Sequence, residues 1–335
     1  MFVKKSNLRF PALEYSAFLL TPFICLLLTG CPQDKPPTLP DTAKAPFQAA
    51  TSLPPLGAMK SVAPGVLFGE VTLPRGEQSS KLWVYLPEKK PSGNLPCVLI
   101  APAGSPMFVG MGLGDGDRPE HLPYAKAGFA VIAYELDGAM PQHEGEPTDA
   151  EGVRAAAEFQ RADGGLKNAQ DALRYALARV PNIDPNRIYV AGHSSAATVA
   201  LYVASHEPRI AACAAYAPGL NVREHIGDEM VSYLSQELPL YDSFIEGVSA
   251  TQSCCNMKCP VFLFQADDDK TVSPTQAMQY AEQLKRGKVD VTFETVMTGG
   301  HYDSMINEGV PRAIEWFKKL AEKGSTASPG KEGAN

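Results

Sequence analysis

The sequence predicts an α/β fold, with a mostly parallel, eight-stranded sheet and helices on both faces. Short continuous apolar runs, such as Cys97–Ala101 and Val261–Gln265, are typical of parallel strands that are buried on both faces. Stretches with helical periodicity, such as Leu166–Arg179, alternate with these runs. The first two strands differ, because the polar turn PRGEQSS at residues 74–80 joins them as a hairpin.

The predicted elements follow one another along the middle of the chain. The predicted strands are Val66–Leu73, Lys81–Leu86, Cys97–Ala101, Phe129–Tyr134, Arg187–Ala191, Ile210–Tyr216, Val261–Gln265 and Val289–Val296. The predicted helices are Leu166–Arg179, Ala196–Ser205, Pro274–Lys285 and Pro311–Glu322.

Composition excludes several classes of protein. Of the 335 residues, 44% are hydrophobic and 20% are charged, which excludes a wholly disordered chain and a polytopic membrane protein. The formal net charge of −7 supplies no basic surface for nucleic acid, so we expect no nucleic-acid partner. Seven cysteines are too few for a disulfide scaffold in a chain of this length.

The N-terminus has the pattern of an export signal. Basic residues precede the apolar stretch Ala17–Leu28, which is too short to span a membrane comfortably. The stretch ends in Leu28-Thr29-Gly30-Cys31, which resembles a bacterial lipobox. We therefore expect residues 1–30 to be a lipoprotein signal peptide and Cys31 to be lipidated, anchoring the exported protein to a membrane of the bacterial cell envelope. A plain secretory signal or an uncleaved anchor is the alternative.

Composition also divides the rest of the chain. Residues 31–64 are rich in proline and are predicted to be a tether between the lipid and the domain. Residues 65–322 contain the alternating strands and helices and are predicted to be the catalytic domain. Residues 323–335 are predicted to be a disordered tail.

One strand-to-helix turn indicates chemistry. The strand that ends at Ala191 runs directly into Gly192-His193-Ser194-Ser195-Ala196, and a helical pattern begins at once. A serine at such a sharp turn is typical of a nucleophile elbow, which lifts the hydroxyl out of the sheet. The pattern G-x-S-x-G would place Ser194 at the apex, although its last position is Ala196 here. The alternative is a serine-rich turn or a helix cap.

Two later loops supply partners for this serine. Asp269 follows the strand that ends at Gln265, and His301 follows the last strand after two glycines. The chain order serine, acid, histidine is the order of α/β-hydrolase triads. We predict Asp269 as the acid with Asp268 as the alternate, and His301 as the base. The alternatives are a solvated acidic loop and an ordinary surface histidine.

Backbone amides are predicted to stabilise the negative charge that develops on the substrate. One N–H group should come from Ser195, whose hydroxyl we expect to be dispensable. The second should come from the loop after strand Cys97–Ala101, where Gly104 lets the backbone approach a substrate closely. Gly104 or Ser105 would be the donor.

These motifs together resemble a known family. Residues 168–197, NAQDALRYALARVPNIDPNRIYVAGHSSAA, are similar to the helix, turn and serine segment of the prolyl oligopeptidase catalytic domain. Residues 259–277 and 299–302 match its acid and histidine segments, and dienelactone-hydrolase-like esterases share the pattern. The resemblance implies an α/β-hydrolase and a serine hydrolase of small esters or short peptide-like amides. Acyl transfer and a catalytically silent, surface-binding lipoprotein are the alternatives.

Weaker signals complete the analysis. No organic cofactor is expected, and the acidic and glycine-rich loops have no recognised metal-ligand spacing, so no metal is predicted. Residues 221–249 interrupt the alternation and are predicted to form a lid, lined by Met230, Tyr233, Leu234 and Phe244 unless these residues simply pack. A disulfide from Cys254 or Cys255 to Cys259 is left open.

Overall fold

The computed structural model describes residues 46–76, 78–89, 93–142 and 146–326. The predicted signal peptide, the predicted lipidation site Cys31 and residues 327–335 lie outside the described residues. None of the helices in the described ranges combines the length and the apolar character that crossing a bilayer requires.

One mixed sheet runs through the described part of the chain. Its strands are, in chain order, β1 (Lys60–Ala63), β2 (Val66–Arg75), β3 (Gln78–Pro87), β4 (Leu95–Ile100), β5 (Ala130–Tyr134), β6 (Ile183–His193), β7 (Ala212–Tyr216), β8 (Val261–Ala266) and β9 (Val291–Val296). They lie in the order β1-β2-β3-β5-β4-β6-β7-β8-β9. The pairs from β1 to β5 along this order are antiparallel, and all later pairs are parallel. The predicted α/β class is therefore confirmed.

The sheet has nine strands, one more than the eight predicted. The additional strand is β1, which pairs with β2 through Lys60↔Phe68 and Ala63↔Val66. Gly65 between them has a φ of +76°, a conformation that glycine adopts without steric cost. The four residues of β1 are too few for a periodic pattern, so this strand was hidden within the predicted tether 31–64.

A hydrogen bond to a buried ion pair fastens the segment before β1 to the domain. The Ala50 backbone N–H donates to Asp171 Oδ2 over 2.9 Å, and Arg75 Nε donates to the same oxygen over 3.0 Å. Arg75 also contacts Asp137, 2.7 Å away, and is itself buried. The C-terminal part of the predicted tether thus packs against the main hydrophobic core.

Helices cover both faces of the sheet. Helices α1 and α10 pack on one face, where Tyr189 of the sheet stacks on Phe317 with 4.4 Å between ring centroids. Helices α3, α4 and α9 pack on the other face. The helices are α1 (Arg118–Lys126), α2 (Asp149–Arg161), α3 (Leu166–Arg179), α4 (Ser195–His206), α5 (Val222–Ile226), α6 (Asp228–Glu237), α7 (Tyr241–Val248), α8 (Ala250–Ser253), α9 (Pro274–Arg286) and α10 (Val310–Thr326).

Three features of the helices differ from the predictions. The sequence analysis missed α1, because Pro119 and Pro123 interrupt its pattern. It also missed α2, whose capping box was the available signal: Glu151 N–H donates to Thr148 Oγ1 over 3.3 Å and Thr148 N–H donates back to the Glu151 carboxylate. Helix α10 continues to Thr326, so the first four residues of the predicted tail are helical.

The predicted lid is a group of three helices, α5 to α7, that leads into α8. Met230 and Leu234 are buried in the main hydrophobic core, and Phe244 packs edge-on against Phe159 of α2. These side chains therefore pack within the protein interior, which was the alternative to lining a lid. Cys254, Cys255 and Cys259, just beyond the lid, are free thiols in the structure.

Candidate active site

The sheet order brings two loops together at one edge. Strand β4 lies between β5 and β6, so the chain leaves β4 towards one side and β6 towards the other. Crevices for ligands form at such reversals, outside the carboxyl ends of the strands. Residues 101–109 follow β4 and the predicted elbow follows β6, so both predicted parts of the site lie at this position.

The elbow is a strained turn between β6 and α4. Ser194 has φ of 55° and ψ of −122°, which is uncommon for a residue with a side chain. Its N–H donates to Tyr216 O on β7 over 2.9 Å, which holds the turn against the neighbouring strand. A Cβ at Gly192 would lie 2.3 Å from Ala196 O, so only glycine fits there. Ala196 itself is fully buried in α4, so the helix accommodates its methyl group.

Asp269 and His301 meet beside this turn. His301 Nδ1 lies 2.8 Å from Asp269 Oδ2, and Gln265 Nε2 donates to the same oxygen over 2.8 Å. The other oxygen accepts the N–H groups of Thr271 at 2.8 Å and Val272 at 3.1 Å. Burial raises the pKa of Asp269, but its contacts with His301 and these amides outweigh burial and lower the pKa below its usual value. The aspartate is thus held ionised against the imidazole.

Asp268, the alternate acid, has a different set of partners. Its two oxygens accept the backbone N–H groups of Gly299, at 3.2 Å, and Gly300, at 2.8 Å. Gly299 has a φ of +117° and Gly300 of +60°, so the loop conformation favours glycine at both positions. Asp268 therefore fastens the loop that carries His301, while Asp269 contacts the imidazole.

His193, within the elbow, also contacts the loop that carries His301. Its Nε2 donates to the backbone oxygen of His301 over 3.0 Å, and the two rings lie 4.6 Å apart. On its other side, His193 Nδ1 is 3.5 Å from a carboxylate oxygen of Glu120, which is also buried. The sequence analysis did not predict this contact. A histidine beside the predicted nucleophile was its only signal.

No hydrogen bond joins the Ser194 hydroxyl to the His301 imidazole among the described residues. Catalytic hydrogen bonds of this kind are often long in a protein without substrate and tighten when it binds. Because Nδ1 of His301 faces Asp269, its Nε2 is the nitrogen left for a serine hydroxyl. The structure thus brings His301 and Asp269 together and places Ser194 next to His193, whose ring packs on that of His301.

The predicted oxyanion donors have an unexpected partner. The backbone N–H groups of Gly104 and Ser105, here called the loop amides, both donate to Ser195 Oγ over 3.0 Å. The Ser105 hydroxyl donates to Val109 O and accepts the N–H of Met107, which closes the loop into a tight turn. The Ser195 hydroxyl, expected to be dispensable, therefore takes part in this region of the site.

A small cavity adjoins the loop amides. Its volume is about 20 Å³, enough for one or two water molecules. The predicted lid contributes to its wall through α5 and α7, but with residues other than the four predicted. Its lining residues are Ser105, Met107, Phe159, Gly164, Ser195, Thr198, Val199, Tyr202, Val222 and Val248.

Solved structures share this fold. An acetyl xylan esterase from Paenibacillus sp. R4 is 17% identical, with a TM-score of 0.56, over 84% of this chain and 92% of that one. A putative dienelactone hydrolase from Klebsiella pneumoniae subsp. pneumoniae is 16% identical, with a TM-score of 0.57, over 76% and 99%. The Pyrococcus horikoshii acylaminoacyl peptidase is 16% identical, with a TM-score of 0.54, over 81% of this chain but only 43% of its own.

Sequence comparison identifies the family. No curated protein sequence matches the chain significantly. Residues 124–324, more than half of the chain, match the prolyl oligopeptidase family. This match spans the elbow and both loops that carry Asp269 and His301. The chain therefore belongs to the prolyl oligopeptidase family and is a serine hydrolase.

Proposed function

We propose that Ser194 is the nucleophile of this hydrolase and that the substrate is an ester with a short acyl group. The observation that carries the proposal is the 2.8 Å contact between His301 Nδ1 and Asp269, beside a serine on a strained strand-to-helix turn. This contact fixes the tautomer in which Nε2 of His301 accepts a proton.

Acylation begins when Ser194 Oγ attacks the carbonyl carbon and its proton moves to Nε2 of His301. The carbonyl oxygen becomes an oxyanion that the N–H groups of Ser195 and of the loop amides stabilise. Ser195 is the first residue of α4, so its N–H has no acceptor one turn earlier in the helix. The tetrahedral intermediate then collapses, the ester C–O bond breaks, and the departing alkoxide takes the proton from His301.

Deacylation repeats these steps with water. His301 accepts a proton from water, whose oxygen attacks the acyl carbon. The bond to Ser194 Oγ then breaks, and Ser194 recovers the proton from His301 as the carboxylic acid leaves. Throughout, Asp269 stays ionised and stabilises the imidazolium.

The small cavity supports the short acyl group. An intermediate on Ser194 with its oxygen at the loop amides would place its acyl substituent near Ser105 and Ser195, which line the cavity. A volume of about 20 Å³ has room for one or two groups of the size of a water molecule, which favours a short acyl substituent unless the lid helices α5 and α7 move outward.

Two measurements test the proposal. Mass spectrometry after reaction with a fluorophosphonate should locate the adduct on Ser194, and the Ser194→Ala variant should carry none. A panel of p-nitrophenyl esters from acetate to decanoate, with aminoacyl anilides beside it, should give the highest kcat/KM for the shortest esters. An adduct on Ser195 would contradict the nucleophile, and a preference for the anilides would contradict the substrate class.

We further propose that the protein is exported and anchored to a membrane through a lipid on Cys31. The tetrapeptide Leu28-Thr29-Gly30-Cys31 after a basic and then an apolar segment supports this proposal. The Cys31→Ser variant should remain unprocessed or be mislocalised when the cells are fractionated. A fully soluble wild-type protein with its N-terminus elsewhere would contradict the anchor.

A further inference from the structure

The two loop amides converge on a single oxygen atom. Gly104 N–H and Ser105 N–H each lie 3.0 Å from Ser195 Oγ, on the first residue of α4. Two backbone donors within 2.7–3.1 Å of one oxygen is the arrangement that an oxyanion hole presents to a reacting carbonyl. The Ser195 hydroxyl thus occupies a position that these donors can offer to a substrate oxygen.

We propose that the Ser195 hydroxyl is an internal ligand of the oxyanion hole, which the substrate oxygen displaces during the reaction. The inference rests on the proposed function, because it requires the loop amides to bind an oxyanion formed on Ser194. Each amide has one hydrogen, so it cannot direct that hydrogen fully at both the Ser195 hydroxyl and the oxyanion. A charged oxygen is the stronger acceptor and takes the position when it forms.

The surroundings of Ser195 favour displacement over a permanent bond. None of the hydrogen bonds among the described residues uses the proton of this hydroxyl, although the side chain is buried. A hydroxyl that only fastened the loop would be expected to have its own proton paired as well. The hydroxyl therefore accepts two hydrogen bonds but donates none to a described residue, which lowers the free-energy cost of moving it away from the loop amides.

The cavity gives the displaced hydroxyl a place to go. Ser195 lines the cavity of about 20 Å³, and rotation about a single side-chain torsion moves its hydroxyl away from the loop amides. Thr198, one turn further along α4, lines the same cavity. Its hydroxyl donates to Gly219 O over 2.7 Å, which leaves an oxygen lone pair to accept a proton.

The internal ligand has two consequences for the enzyme. It holds the loop amides in line with the elbow while the site is empty, so the 101–109 loop does not need to reorganise when the oxyanion forms. It also competes with the incoming oxygen, because a tethered hydroxyl is replaced less easily than a water molecule. Removing the hydroxyl should therefore strengthen the binding of a transition-state analogue.

The test measures the inhibition constant of methylboronic acid, whose single carbon suits the small cavity and which forms a tetrahedral anionic adduct on a serine nucleophile. In Ser195→Ala, water replaces the hydroxyl, and binding should be about three- to tenfold tighter, as expected for the loss of one competing hydrogen bond. In Ser195→Thr, the hydroxyl is kept while the extra methyl group fills the cavity, so binding should be weaker than in the wild type. Ser205→Ala removes a buried hydroxyl at the far end of the same helix and should leave the constant unchanged.

Two outcomes would overturn the inference. Weaker binding in Ser195→Ala with wild-type binding in Ser195→Thr would show that the hydroxyl holds the loop permanently. Constants within twofold of the wild type in both variants would show that the hydroxyl does not compete. Thermal unfolding of each variant checks that it is folded. A wild-type protein that binds neither the boronic acid nor a fluorophosphonate would instead contradict the proposed function itself.

Discussion

The two sides of the candidate site are organised in opposite ways. On the acid–base side, Asp269 has four polar partners, and the loop that carries His301 is fastened by Asp268 and by His193. On the oxyanion side, the loop amides donate to a neutral hydroxyl of the protein itself. The comparison teaches that Asp269 and His301 are each held by several partners in the structure, whereas the loop amides, in our proposal, become available only when an oxyanion displaces the Ser195 hydroxyl.

The largest expected effect comes from removing the proposed nucleophile, because the acid–base side and the oxyanion side both act on the reaction of this one serine. Ser194→Ala should lower kcat by about 10⁶-fold, and the double variant with His301→Ala should be no worse, because such residues act as a unit. Steady-state kinetics on p-nitrophenyl acetate measure both, with Ser205→Ala as the matched serine control. Activity retained in Ser194→Ala would contradict the assignment of Ser194 as the nucleophile.

The next largest effect separates the two adjacent aspartates on the acid–base side. Asp269→Asn should lower kcat by about 10⁴-fold, as the loss of the acid does in the best-studied triad, because His301 is then held in the wrong tautomer. Asp268→Asn keeps one oxygen for the amides of Gly299 and Gly300, so its kcat should fall by less than about tenfold. The reverse ranking would assign the acid to Asp268.

A smaller effect is expected for His193, which supports the His301 loop without reaching the substrate. His193→Phe removes the hydrogen bond to His301 O and should lower kcat about three- to tenfold with little change in KM. His193→Gln keeps an N–H donor and should restore part of the loss. Equal losses in both variants would mean that the ring, and not the hydrogen bond, matters.

The smallest effect concerns stability and pH. The pKa of Asp269 is lower in the folded protein than its usual value of about 3.9 in an unfolded chain. Its ionised form therefore stabilises the folded state fully above that unfolded value, and this contribution disappears as the pH falls through the lower, folded pKa. Urea unfolding should show Asp269→Asn less stable than the wild type at pH 7, with the difference closing below about pH 4. A difference in unfolding free energy that persists at acidic pH would mean that the substitution destabilises the protein through altered packing and not through the lost charge.

Much of the fold was predictable because its central strands are short apolar runs that depend little on context. All eight predicted strands are present, and helix α3 has the predicted bounds Leu166–Arg179. The elements that were missed lack such a signal. Strand β1 has only four residues and forms by pairing with the adjacent β2, and prolines obscure α1, which is stabilised by packing on the sheet.

The candidate site shows the same contrast between features that have a local sequence signal and features that have none. Ser194, Asp269 and His301 each follow a predicted strand, so their order and their common edge were evident from the sequence. The contacts of His193 and Asp268 were not, because their partners are backbone groups of the His301 loop, and a backbone partner leaves no residue type to find in the sequence.

The sequence by itself determined which residues stand at the ends of the parallel strands, because the alternation of apolar runs and helices specifies that edge. Only the tertiary structure decided which hydrogen-bond partners each of those residues has. It assigned Asp269 to the imidazole and Asp268 to the backbone N–H groups of Gly299 and Gly300, and it turned the Ser195 hydroxyl towards Gly104 and Ser105. The physical reason is that a hydrogen bond depends on distances of a few tenths of an ångström between segments far apart in the chain, which no local pattern records.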